Sequence, residues 1–214
     1  MNSKSKTIAR FGIIAALIVA AISIDMAISA AGLPVNIAAV TLTVVLVVCQ
    51  INDLKTALFV STLFGLSSFI GSYIIASPTA WYFQNPLISV FPRIVIGLTT
   101  YYSLKLFKKL FKKYKNNVAK TIPYMVSGAV GVLTNTILVL TMMAVFDKDS
   151  TFAQIIATVI LINFLIEILF GILVVPTVSR TVLHARRNVD IKDEPNSNKT
   201  LEEQIIQKNT QQDK

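Results

Sequence analysis

The stretch FQNPLISVFPRIVIGLTTYYSLKLFKKLFKKYKNNVAK, residues 83–120, decides the fold. From Leu87 to Phe107 it is apolar over about the 20 residues that a membrane-spanning helix needs. A polar-aromatic segment precedes it and a lysine-dense one, Lys108–Lys120, follows. That is the sequence of a membrane helix whose two ends meet different surroundings. One residue inside it does not suit an apolar solvent. Arg93 stands among Val, Ile and Phe, where an unpartnered cation costs about 2.5–3.5 kcal/mol on insertion scales. Pro86 and Pro92 mark the helix start, since proline fits a first turn and breaks an interior. An expensive charge kept near one face is the first clue to what the chain binds.

Working outward, the same pattern recurs. The 214 residues are 54% hydrophobic and 14% charged, against roughly 25% charged in ordinary globular domains. Apolar runs are read at about 8–31, 35–51, 56–76, 87–107, 121–146 and 151–182. Turns are read at Gly32–Pro34, Asn52–Lys55, Ser77–Pro86, Lys108–Lys120 and Asp147–Ser150. The first run is longer than the core of a signal peptide and reads as a retained span. The expected fold is therefore an all-α bundle of six transmembrane helices over residues 1–187. Residues 188–214 form a polar tail without apolar residues for a core, disordered or a short surface helix.

Net charge is +9, but its distribution points to membrane orientation and away from nucleic acid. With the N-terminus inside, the inner segments hold Lys4, Lys6, Arg10, Lys55, the lysines of 105–120, Arg180, Arg186 and Arg187, and the outer loops hold only Lys148. The positive-inside rule then places both termini in the cytoplasm and Arg93 about two turns below the outer surface.

Three ionisable residues lie within spans: Asp25, Arg93 and Glu167. Intramembrane charges pair with one another or serve function, and both readings stand. Arginine suits an anion because its fork grips a carboxylate with two parallel bonds. Asn163 and Glu167 share a helix face at spacing four, as do Gly128, Gly131 and Asn135 at i, i+3, i+7. Asn135 and Asn163 are either interhelical glue or part of a ligand pocket. Trp81, Gln84 and Asn85 in the outer loop are either an interfacial aromatic belt or a lid above Arg93. Gly12, Ala16 and Ala20 form a row of small residues that admits a close helix neighbour. Cys49, a small core residue, and His184, a juxtamembrane one, are the single Cys and His, so no His/Cys metal site is expected. No Walker A sequence, H-E-x-x-H or G-x-S-x-G occurs, and no catalytic set is expected.

The segments Asn85–Leu87, Phe91–Gly97, Gly131–Thr136, Asn163–Glu167, Val174–Pro176 and Gly65–Ile70, in that span placement, resemble the substrate-binding S component of energy-coupling factor (ECF) vitamin transporters, pantothenate-type subgroup. The resemblance covers about Ala9–Val182. It implies a multi-pass protein of the bacterial plasma membrane that captures one vitamin near the outer face. It further implies docking, through Gly12, Ala16 and Ala20, onto a transmembrane T component joined to two ATPases, so that ATP is used on partner chains. Under this resemblance Arg93 holds the carboxylate of pantothenate, with Asn135, Asn163, Gln84, Asn85, Trp81 and Glu167 completing the site. Folate is the nearest anionic competitor. The reading of another class is a small proton-coupled carrier or intramembrane enzyme that uses Asp25 and Glu167.

Overall fold

A computed structural model describes residues 3–30, 38–74, 80–113, 116–146 and 163–193. The Gly32–Pro34 turn, residues 35–37 of the second span, residues 77–79 of the outer loop, the Asp147–Ser150 turn, residues 151–162 of the sixth span and the tail after Asp193 lie outside the described residues. All regular structure among the described residues is helical. The helices are α1 (Ser3–Ala30), α2 (Ala39–Ile51), α3 (Leu54–Ile74), α4 (Ala80–Phe83), α5 (Pro86–Ser89), α6 (Phe91–Leu110), α7 (Asn117–Phe146), α8 (Leu165–Leu169) and α9 (Val175–Asp193). A 3-10 turn, Phe111–Lys113, ends α6, and a widened π turn, Phe170–Val174, joins α8 to α9. Five stretches are long and apolar enough to cross a membrane: Thr7–Ile28, Leu54–Ile74, Pro86–Lys113, Val118–Phe146 and Leu165–Asn188.

The sixth apolar helix, α2, is different. Its 13 residues span about 20 Å at 1.5 Å per residue, short of the roughly 30 Å hydrocarbon layer. Nine of them are buried, so the helix is surrounded by protein. Its sequence, rich in β-branched Val and Thr, has modest helix propensity, and packing on all sides holds it. Leu42, Val45, Leu46 and Cys49 form a core with Ile14 and Ile18 of α1, Ala57, Val60 and Phe64 of α3, Ile96 of α6, Val132 of α7 and Val175 of α9. By contrast α1 buries only one stripe, with Ile14, Ile18, Ala21 and Asp25 inward and Ile13, Leu17 and Ile24 exposed.

Helix boundaries depart from the sequence reading for local reasons. The segment read as a polar-aromatic outer loop, Ser77–Pro86, contains α4. Asn85 caps α5, its Oδ1 accepting from the Leu87 N–H at 3.0 Å, and Pro86 follows in the first turn. The fourth span, read as unbroken from Leu87, divides at Val90 into α5 and α6. Pro92 has no N–H to give the carbonyl four residues back, which interrupts the ladder there. The basic segment is shorter than read, because α6 runs to Leu110 and α7 begins at Asn117. Lysine is a good helix former and does not stop a helix. At the C-terminal end α9 runs to Asp193, into the segment read as tail.

The chain divides into two compact units, Met1–Ser179 and Arg180–Lys214. In the second, helical His184 and Asn188 meet side chain to side chain at 3.1 Å. In the first, polar contacts fix which helix ends lie together. Arg10 of α1 pairs with Asp53 and hydrogen-bonds Thr56 at the α2–α3 turn. Gln50, near the end of α2, donates to the Tyr124 carbonyl of α7 at 2.9 Å. Lys108 of α6 lies 4.5 Å from the Tyr124 ring centre. One end of the bundle therefore gathers Arg10, Lys55 and the lysines of α6. Two glycines make the packing of α7 possible. The backbones of Gly128 and Gly171 touch, and a Cβ on Gly128 would overlap the Gly171 carbonyl.

Candidate functional site

The opposite end holds Arg93, and its surroundings follow from the proline beside it. Pro92 leaves the Ile88 carbonyl without its helical donor. The Arg93 guanidinium takes that place, Nη1 donating to Ile88 O at 2.9 Å. Two aromatic rings flank the cation, with centres 5.5 Å (Phe64, α3) and 5.0 Å (Phe83, α4) from Cζ. Such cation–π contacts are worth about 2 kcal/mol when desolvated and offset part of the burial cost. Arg93 is 5% exposed. Gly65 allows α3 to run this close, since a Cβ there would meet the Val90 backbone and the Arg93 side chain.

Glu167 of α8 acts on Arg93 through charge, and the buried Asn135 side chain of α7 hydrogen-bonds its carboxyl. Arg93 and Glu167 do not close to ion-pair distance, whereas Arg10 and Asp53 do. Arg93 Nε and Asn135 Oδ1 are buried with no hydrogen-bond partner among the described residues. The first is a donor next to a positive charge; the second is an acceptor. A ligand bearing a carboxylate and an O–H or N–H donor would satisfy both, and leaving such groups unmade costs about 1–3 kcal/mol each.

Asn163 is buried one turn before Glu167. The remaining residues read from sequence have settings of their own. Asn85 spends its side chain on the α5 cap. Trp81 is exposed and stacks on Tyr82 at 3.6 Å, and Gln84 is exposed. Asp25 acts on Glu167 through charge and is hydrogen-bonded to the start of α2. Its carboxylate accepts from the Val40 and Thr41 N–H groups at 3.2 and 2.9 Å and from the Thr41 hydroxyl. It caps α2 from another helix, where Ala38 offers no side-chain acceptor of its own. An anion belongs at that positive helix end. Phe64, Phe83 and the Ile88 carbonyl were missed as parts of the site. The signal for the carbonyl was present, in a proline four residues after it and an arginine next to that proline. Gly12, Ala16 and Ala20 are all exposed on α1, and the space around Gly12 is open.

No protein-family model, curated protein or solved structure matches this chain.

Proposed function

We propose that the chain is the substrate-binding membrane subunit of an ECF-type vitamin transporter, with six membrane helices and both termini in the cytoplasm. In this reading Arg93 anchors an anionic vitamin, pantothenate first and folate second. The supporting observation is the buried Arg93 guanidinium, held by a carbonyl and two aromatic faces, with an unpartnered Nε; the Asn135 side chain, bonded to the Glu167 that acts on Arg93, also has an unpartnered Oδ1. Pantothenate offers a carboxylate to the first and hydroxyl and amide donors to the second. Its site lies at the end away from Arg10, Lys55 and the α6 lysines, and the positive-inside rule makes that the outer end. The motor is on partner chains, a T component and two ATPases, reached through the exposed Gly12, Ala16 and Ala20.

Native mass spectrometry of the purified full chain tests the substrate. A retained mass equal to pantothenate is expected. Binding of neither pantothenate nor folate, even on titration, would overturn the reading. Docking is tested separately. Ala16→Trp is expected to abolish co-purification with the T component and leave vitamin affinity unchanged; an intact complex would show that the row is not the docking face.

A further inference from the structure

The lysine-rich end carries more charge than the fold uses. Residues 101–120 contain seven lysines and no Asp or Glu. Lys105, Lys108, Lys109, Lys112, Lys113 and Lys120 are exposed, and none is in an ion pair among the described residues. Asp53, the acid of that end, is taken by Arg10. The helix dipole accounts for Lys108 and Lys109, which sit in the last turn of α6. It does not account for Lys112 and Lys113 beyond that turn. It opposes Lys120, which lies in the first turn of α7 where the dipole repels cations.

Exposed apolar side chains share these turns. Tyr102 is 53%, Leu106 55%, Leu110 59% and Val118 66% exposed. Lys105 lies 6.0 Å from the Tyr101 ring centre and Lys108 4.5 Å from that of Tyr124. Cations and exposed apolar side chains therefore share the same turns, the combination that suits a helix end where lipid tails give way to headgroups. Lysine stems lie along apolar surface with the ammonium raised to the interface. A nucleic acid or an acidic protein would use the charges and leave the apolar side chains uncovered.

We propose that this face, the end of α6 with the start of α7, binds anionic phospholipid headgroups preferentially over zwitterionic ones. Juxtamembrane lysine clusters gain affinity from each cation near an anionic surface, and the gain is screened by salt. This inference uses the membrane placement of the helices and is independent of the vitamin.

The test uses the full chain in neutral detergent micelles, with phosphatidylglycerol and phosphatidylcholine added in equal amounts and retained lipid counted by native mass spectrometry. Retention of phosphatidylglycerol is expected to exceed that of phosphatidylcholine by about tenfold and to converge as salt is raised. The variant K108Q/K109Q/K112Q/K113Q should lose that excess, and the four Lys→Arg changes should keep it. Equal retention of the two lipids by the native chain would overturn the proposal, with no variant needed. So would an unchanged excess in the glutamine variant, or displacement of the lipid by an equal concentration of glycerol phosphate, which would make the site one for free phosphate.

Discussion

Two arginines at opposite ends of one bundle meet acids in opposite ways. Arg10 lies at the lysine-rich end, half exposed, and contacts Asp53 directly with Thr56 bridging both. Arg93 is buried at the other end and makes no direct ion pair with Glu167, although each feels the other's charge. Where water reaches, the pair closes, and closing it is worth little. Where water is excluded, neutral groups hold the cation: a carbonyl released by proline and two ring faces. A closed pair has no capacity for a third party. The open arrangement keeps a donor edge and a charge for an incoming anion. The contrast is why the proposed anion site is put at the Arg93 end and a structural tie at the Arg10 end.

Three changes sharpen that contrast, in falling order of effect. Asn135→Leu removes the amide that serves the Glu167 carboxyl and leaves a buried acid short of a partner. It should cost about 1–3 kcal/mol in thermal unfolding of the detergent-solubilised protein. A loss well below that range would mean that Glu167 is served by other groups. Asp25→Ala removes the cap of α2 and should cost about 0.5–2 kcal/mol, with Asp25→Asn costing less because an acceptor oxygen remains. Neither Asp25 variant should alter vitamin affinity. A proton-coupled carrier built on Asp25 would instead lose activity in the Asn variant, despite its stability.

The smallest effect is at Arg10. The Thr56 hydroxyl, together with Arg10, holds the Asp53 carboxyl below the usual carboxylate range. A group depressed in the folded state adds stability above its unfolded pKa of about 4, and this is lost as pH falls through the folded value. Asp53 is about half exposed, so solvent screens the contribution. Arg10→Gln should change stability by about 0.5 kcal/mol or less. The difference between native and variant should fade with added salt and below about pH 4. A larger loss that survives high salt would mean that the Arg10 end is more than a surface tie.

How much of this was legible in the sequence differs between the same two regions. Asp25, Arg93 and Glu167 stood out because charge is costly amid apolar residues. Asn135 stood out through helical spacing, and it does reach Glu167. The partner of Asp25 was not legible: periodicity places a residue on a face and does not say which helix end lies opposite. The cap is a tertiary contact between residues 15 and 16 positions apart. The Arg10–Asp53 pair, 43 positions apart, was hidden for the same reason. The aromatic faces on Arg93 come from α3 and α4, and only their packing beside α6 brings Phe64 and Phe83 to it. Exposure of Trp81 and of Gln84 just after it was equally unreadable, because a four-residue helix carries no periodicity to reveal which way it turns.

The most direct measurement is isothermal titration calorimetry of pantothenate into the native chain, Arg93→Gln and Arg10→Gln, with melting curves confirming that all three are folded. The expected result is tight binding by the native chain and by Arg10→Gln, and a loss of about 100-fold or more in Arg93→Gln, in line with removing one side of a buried charge contact. Affinity in Arg93→Gln equal to that of the native chain would contradict the assignment of Arg93 as the anion anchor.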